Sequence, residues 1–216
     1  LKRRYSDMLT LLYVLFGISL VYIAATEKFK NYIEVYAIQG VLLFGMAFIE
    51  LKNFSLVNLA FILAETIVFK SLVVPYMMRK ILQRTGIFKV HKQSLSGNYT
   101  VLLMTVVLGI SLVLAHVLSI PSVNQIYMVI AWFTLFTGLL LISVRKLLFG
   151  HLVGFLIIEN AVFLFSIAMG NEFPLLVNTG ILLDIFIAVL VMSIFLTRIG
   201  NKMGGFEAES LTKLVD

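Results

Sequence analysis

Long apolar runs separated by short polar stretches are the main pattern along this chain. A helix needs about 20 mostly apolar residues to cross a membrane, and seven runs reach that length. Period-two alternation of polar and apolar positions is absent, which argues against a closed membrane barrel. The pattern therefore predicts an all-α, polytopic transmembrane helical bundle of about seven spans. The predicted spans are roughly residues 8–25, 32–51, 53–78, 97–120, 123–144, 147–170 and 173–197.

Three prolines punctuate this pattern. No Lys, Arg, Asp or Glu occurs between Gln93 and Val144, a stretch too long for one span, and Pro121 divides it because proline cannot continue a helix. Pro174 falls in the first turn of the last span, where its missing N–H costs nothing. Pro75 lies inside the third span, where it frees the carbonyl of Ser71. A local bend or hydrated gap is expected there.

Composition narrows the class of protein. Hydrophobic residues make up 61% of the 216 positions and charged residues only 13%, about half the usual charged fraction, which excludes a soluble enzyme domain. The net charge of +6 comes from clusters between apolar runs, a signal of membrane topology rather than of nucleic-acid binding. Cysteine is absent, which excludes disulfides, thiolate metal sites and thiol nucleophiles. No catalytic or metal-binding motif is found.

The loop charges predict an orientation. Twelve Lys and Arg fall in the loops after the odd-numbered spans and four in the other loops, so the positive-inside rule places the C-terminus in the cytoplasm and the N-terminus outside. The run Lys2-Arg3-Arg4 argues against this. Within a single membrane domain, the chain divides into a three-helix part with a basic cytoplasmic loop, a connecting helix, a second three-helix unit and a cytoplasmic tail. These regions are residues 1–96, 97–122, 123–200 and 201–216.

Four ionisable residues are predicted to lie deep in the membrane: Glu65, Lys70, Glu159 and Asp184. Each costs about 2.5–3.5 kcal/mol to insert, so such residues face the bundle interior or a wet cavity and are functional candidates. Glu159 and Asp184 each lie about 12 residues from the turn that joins their spans, or about 18 Å, and therefore at one depth. Two carboxylates at one depth can share or pass a proton. Together with Lys70 they predict a proton relay.

The neighbours of these residues receive weaker predictions. Glu65 and Lys70 are five residues apart, which is a poor spacing for a pair on one α-helix, so each could instead clamp another helix. His151, two turns before Glu159 and near the cytoplasmic end, is a candidate for proton uptake. Asn160 is expected to be a hydrogen-bonding residue that orients its surroundings.

The C-terminal half resembles a known three-helix unit. The segment 145–149, followed by residues 154–161 with Glu159 and Asn160, is similar to the second helix of the small K subunit of complex I and of the Mrp antiporter C subunit. Asp184 and the apolar run after it resemble the third helix of that subunit. Measured from Gly154, Glu159 lies about one turn later than the acid of the complex I subunit.

From about residue 55 onward, the chain resembles component E of the hydrogenase-4 and formate hydrogenlyase membrane arm. The similarity lies in the stretch 70–78, the pair Glu159-Asn160, the run 184–192 and the ending 211–214. Lys70, Pro75, Glu159, Asn160 and Asp184 fall on the family pattern, whereas Glu65 does not.

This resemblance implies a non-catalytic membrane subunit of a redox-driven, ion-translocating complex in the inner membrane of a prokaryote. The implied partners are large antiporter-like subunits and a peripheral redox module that holds a nickel–iron centre and iron–sulfur clusters, with no cofactor in this chain and no nucleic acid. Two alternatives stay open: a subunit of a Mrp-type cation/proton antiporter, and a structural subunit whose buried acids are interhelical clamps. The choice between proton and sodium is also open.

Overall fold

The computed structural model describes residues 2–26, 28–50, 56–85, 97–118, 125–146, 148–169 and 184. Within these ranges the chain is helical and contains no strand. One element is a ten-residue π-helix, which we call the π segment. The elements are α1 (Lys2–Ala25), α2 (Phe29–Glu50), α3 (Leu56–Leu63), the π segment (Ala64–Val73), α4 (Val74–Thr85), α5 (Gly97–Val117), α6 (Gln125–Val144) and α7 (Leu148–Met169). The third span consists of α3, the π segment and α4.

Six helices in the described part are long and apolar enough to cross a membrane. They lie where the first six spans are predicted. Such spans are helical because the membrane core offers no water to the backbone, whose hydrogen bonds must form within each helix. The predicted seventh span, residues 173–197, lies outside the described residues except for Asp184. The apolar stretches within these helices are Asp7–Ala25, Phe29–Glu50, Leu59–Gln83, Tyr99–Val117, Gln125–Val144 and Phe149–Met169.

Two polar contacts fix the relative directions of the helices. At one end, Arg145 Nη2 donates hydrogen bonds to the carbonyls of Ala24, at 2.7 Å, and Thr26, at 3.2 Å. At the other end, the Tyr127 hydroxyl donates to Glu50 Oε2 at 3.0 Å. The C-termini of α1 and α6 therefore lie together, and the C-terminus of α2 lies beside the N-terminus of α6. We call the first of these the basic end, because it carries Lys28, Lys30, Arg145 and Lys146.

The position of Arg145 differs from the one that the sequence predicts. The sequence placed it among the loop charges, but its side chain is buried, and its guanidinium binds the last carbonyls of α1. A cation at this position complements the partial negative charge of a helix C-terminus. The ring of Tyr32 lies 5.7 Å from Arg145 Cζ. Arg145 therefore ties α1 and α2 to the end of α6.

Close backbone approaches bring the central helices together. A Cβ added at Gly138 of α6 would lie 2.7 Å from the carbonyl oxygen of Gly154 in α7, and one added at Gly154 would lie 2.8 Å from that of Gly138. Glycine is needed at both positions, as is usual where membrane helices cross closely. On α2, a Cβ at Gly40 would lie 2.6 Å from the Thr66 carbonyl of the π segment. These contacts hold α2 against the π segment and α7 against α6.

The helix break near Pro75 takes the form of a change in helical register. In the π segment the backbone bonds span five residues, and the N–H of Val74 still donates to the carbonyl of Phe69. Ser71 Oγ donates to the carbonyls of Ala37, at 2.9 Å, and Thr66, at 3.0 Å. The sequence predicted a bend or gap at this place but not a π-helix. The π register decides which side chains of this span meet.

Candidate functional site

A layer of buried polar residues crosses the centre of the bundle. Glu65, Lys70, Gln39 and Asn160 are each at most 1% exposed, although they lie in the middle parts of apolar spans. They come from the π segment, α2 and α7. We call Glu65, Lys70, Glu159 and Asp184 together the midplane charge cluster.

Glu65 and Lys70 form an ion pair, with Lys70 Nζ 3.5 Å from Glu65 Oε1 and both side chains buried. The expectation that their spacing makes them poor partners is wrong. On an α-helix, five residues rotate by about 500°, which leaves the two side chains about 140° apart around the axis. In a π-helix the bonds run from i to i+5, so five residues make about one turn and both side chains point the same way.

Glu159 lies close to this pair. It is half-buried in α7, and Lys70, Asp184 and Glu65 lie within electrostatic range of it. Asp184 is exposed. The other three charged residues that the sequence singled out, Glu65, Lys70 and Asp184, therefore all lie within electrostatic range of Glu159.

An aromatic ring completes the surroundings of Lys70. The ammonium lies 4.9 Å from the centroid of the Phe163 ring, and both side chains are buried. Phe163 is four residues after Glu159 on α7, so the ring and the carboxylate lie on the same face of that helix. Nothing in the apolar pattern distinguishes this phenylalanine from the other seventeen.

Tyr36 is a second residue that the sequence analysis missed. Its side chain on α2 is buried, and its hydroxyl has no hydrogen-bond partner among the residues that the structure describes. The charges of Glu159 and Glu65 both reach it. Only its position three residues before Gln39, in a span with few other polar groups, could have drawn attention to it.

A chain of hydrogen bonds connects three helices beside the charge cluster. Asn160 Nδ2 donates to Gln39 Oε1 at 3.1 Å, and Gln39 Nε2 donates to Ser19 Oγ at 2.8 Å. Ser19 Oγ in turn donates to the Phe16 carbonyl at 2.6 Å. Asn160 thus bonds to Gln39, and the described contacts include none from its amide to Glu159. Its Oδ1 accepts no hydrogen bond in the described part of the chain.

His151 lies apart from the cluster. It is half-buried in the first turn of α7, near the basic end, and its buried Nδ1 has no hydrogen-bond partner within the described ranges. It lies about two helical turns from Glu159 along α7. No described side chain bridges the two residues. His151 therefore lies between the basic end and the cluster and does not contact the cluster.

The site gathers groups that can bind and release protons. Carboxyl groups and a hydroxyl can each accept and donate protons, and here one carboxylate pairs directly with the ammonium of Lys70. Among the described residues, no group of three or more His, Asp or Glu side chains is placed to hold a metal ion.

Comparison with known proteins adds nothing to this picture, because no family model, curated protein or solved structure matches the chain.

Proposed function

We propose that this chain is a non-catalytic membrane subunit of a redox-driven, ion-translocating complex, in which the midplane charge cluster relays protons. One observation supports the relay: Lys70, Glu65 and Asp184 all lie within electrostatic range of the half-buried Glu159, and Lys70 pairs with Glu65 at 3.5 Å. Structural ion pairs in membranes need matched charges, and this group has more acids than it has bases.

The excess of acids over bases explains how the proposed relay would move protons. Lys70 can balance only one carboxylate at a time, and a second unpaired carboxylate in a medium of low dielectric constant is costly. Protonation of that carboxylate removes the cost. When a proton moves from one carboxyl group to another, the ammonium gains a new charged partner, so proton position and ion pairing are coupled. Such coupling is what a relay needs if a neighbouring subunit is to drive it.

The positions of the remaining groups suggest a route. His151, near the basic end, would take up protons for Glu159, and the Tyr36 hydroxyl would connect Glu159 with Glu65. Asp184, which is exposed, would pass protons to the next subunit. The half-buried Glu159 lies between these groups and is the central member of the relay.

The redox part of the proposal is supported by the resemblance to component E of the hydrogenase-4 and formate hydrogenlyase arm. In this proposal, large antiporter-like subunits lie beside the chain, and a peripheral module holds the nickel–iron centre and the iron–sulfur clusters. Seven spans, an external N-terminus, a cytoplasmic C-terminus and the inner membrane of a prokaryote belong to the same proposal.

Native purification tests this assignment. The protein is extracted in a mild detergent and everything that accompanies it is identified by mass spectrometry and metal analysis. Antiporter-like subunits together with nickel and iron–sulfur proteins are expected. Antiporter subunits alone would favour the Mrp-type cation/proton antiporter, and a chain that purifies alone would contradict the proposal.

A structural role is the second candidate, and the bonds that tie the helices together favour it. The chain from Asn160 on α7 through Gln39 on α2 to Ser19 on α1 would serve as a clamp in any membrane bundle. The amide variants Glu159→Gln and Asp184→Asn separate the two functions. A relay predicts loss of proton movement in an assembled complex, whereas a clamp predicts loss of assembly.

A further inference from the structure

The ammonium of Lys70 is incompletely satisfied by polar groups. It has three N–H donors and is fully buried, yet its contacts in the described part of the chain are the Glu65 carboxylate at 3.5 Å and the Phe163 ring at 4.9 Å. Nζ forms no hydrogen bond of good geometry within the described residues. Among the described residues, the groups that attract the ammonium directly are therefore the negative Glu65 carboxylate and the electron-rich face of the Phe163 ring.

The face of an aromatic ring is electron-rich and attracts a cation within about 6 Å of its centroid. The attraction is greatest where water is excluded, as it is around two buried side chains. Phe163 projects from the same face of α7 as Glu159, and Glu65 lies on the helix that carries Lys70 itself. The ring thus adds an attraction from the side of α7 that opposes the attraction from Glu65.

We propose that Phe163 is a positioning residue that holds the Lys70 ammonium between Glu65 and Glu159. Without an electron-rich ring face, the ammonium is drawn toward Glu65 alone, and its ability to change partners falls. The contact itself stands independently of any transport, whereas its consequence for proton movement rests on the function proposed above.

Fluorinated phenylalanines test the contact. Phenylalanine with one, two or three fluorines is incorporated at position 163, and the protein purified from its membrane is placed in lipid nanodiscs, where its Tm is measured. Each fluorine withdraws electron density from the ring face and changes the shape little. We expect Tm to fall stepwise, by about 2–4 °C over the series. In the Lys70→Met background, which lacks the cation, the series should be flat.

Phe165 provides a matched control on the same helix. Its ring packs edge-to-face against Trp132, with centroids 5.0 Å apart, and the described contacts include no cation beside it. Fluorination at position 165 should change Tm by the same amount whether or not Lys70 is present. This control separates a cation–ring attraction from a general effect of fluorine on packing.

Two results would overturn the proposal: a flat series at position 163 with Lys70 present, or equal slopes in both backgrounds. Proton movement, measured on the same variants in sealed vesicles with their co-purifying subunits, tests the link to the relay separately. A graded loss of Tm accompanied by a graded loss of proton movement is expected. If the Tm series behaves as expected while Glu159→Gln leaves proton movement unchanged, the contact is real and the relay is wrong.

Discussion

Among the single residues, Lys70 has the most consequential surroundings, because its ammonium is buried next to a carboxylate of its own helix and near one of α7. The ammonium of Lys70 pairs with Glu65 at 3.5 Å, and this pairing depends on a helical register that places residues five apart on one face. The same ammonium lies within electrostatic range of Glu159 on α7. Lys70 is therefore the group through which the acids of different helices influence one another.

Tyr36 gives a residue-scale prediction. Tyr36→Phe removes a buried hydroxyl without a hydrogen-bond partner in the described part, so stability should stay the same or rise by about 1 kcal/mol, because burying an unpaired hydroxyl is costly. Proton movement should fall, because the hydroxyl is proposed to connect Glu159 and Glu65. Thermal unfolding and a proton-flux assay on the same preparation measure both effects.

Tyr76→Phe is the matched control, since its side chain is 67% exposed on α4. It should change neither quantity. A Tyr36→Phe protein with undiminished proton movement would remove the hydroxyl from the route.

The residues of the site were predictable to different degrees. Glu65, Lys70, Glu159 and Asp184 stand out because a charge within an apolar run is visible in the sequence. Tyr36, Gln39 and Phe163 do not stand out, because neutral residues in a membrane helix are common and only the packing of α2 and α7 gives them a role. The pairing of Glu65 with Lys70 was missed because an α-helical period was assumed.

At the scale of the elements, the π segment and α2 depend on each other. The missing side chain of Gly40 lets the Thr66 carbonyl and the Ser71 hydroxyl approach the α2 backbone, and Ser71 in turn bonds to the Ala37 carbonyl. This contact holds the π segment, and with it the Glu65–Lys70 pair, against the middle of the bundle.

Gly40→Ala tests this dependence. The added methyl group would lie 2.6 Å from the Thr66 carbonyl, so the two helices must move apart, at a cost of about 1–3 kcal/mol. We expect a lower Tm in nanodiscs and reduced proton movement.

Gly109→Ala on α5 is the control, because a Cβ there meets nothing within 4 Å. It should leave Tm unchanged or raise it, since alanine favours a helix by up to about 1 kcal/mol over glycine. If the two variants behaved alike, the close approach at Gly40 would not matter to the fold.

The helices themselves were largely predictable, because their length and apolar character follow from the membrane thickness. The six described spans lie where the apolar runs place them. The π segment was not predictable from the same pattern. The segment ends two residues before Pro75 and bonds to α2 through Ser71, and hydrophobic periodicity does not reveal such contacts.

At the scale of the whole molecule, polar contacts at both ends give the bundle its polarity. Arg145 joins the ends of α1 and α6 at the basic end, and Tyr127 joins α6 to Glu50 at the other. The Thr137 hydroxyl also contacts Met104 Sδ at 3.8 Å, which joins α5 to α6. Because only seven residues, 118–124, connect these two helices, they run antiparallel. The C-terminus of α5 is therefore at the end opposite the basic residues.

The absence of cysteine makes the orientation directly testable. Lys30→Cys places a thiol at the basic end, where the side chain is 75% exposed, and Leu118→Cys places one at the opposite end, at an exposed position. A membrane-impermeant maleimide should label Leu118→Cys from outside intact cells. It should label Lys30→Cys only in inverted vesicles, because the basic end is expected to face the cytoplasm.

The unaltered protein should remain unlabelled in both preparations. The reverse labelling pattern would place the basic end outside and would contradict the proposed cytoplasmic C-terminus.

Glu159→Gln tests the proposed proton relay of the midplane charge cluster. The protein and its co-purifying subunits are reconstituted into vesicles, a membrane potential is imposed, and internal pH is followed with a dye. Glu34→Gln, which alters an exposed carboxylate paired with Lys30 at 3.5 Å, is the control. We expect the Glu159→Gln protein to assemble normally and to lower proton movement about tenfold or more. Glu34→Gln should leave proton movement unchanged. Unchanged proton movement in a normally assembled Glu159→Gln protein would contradict the proposed relay.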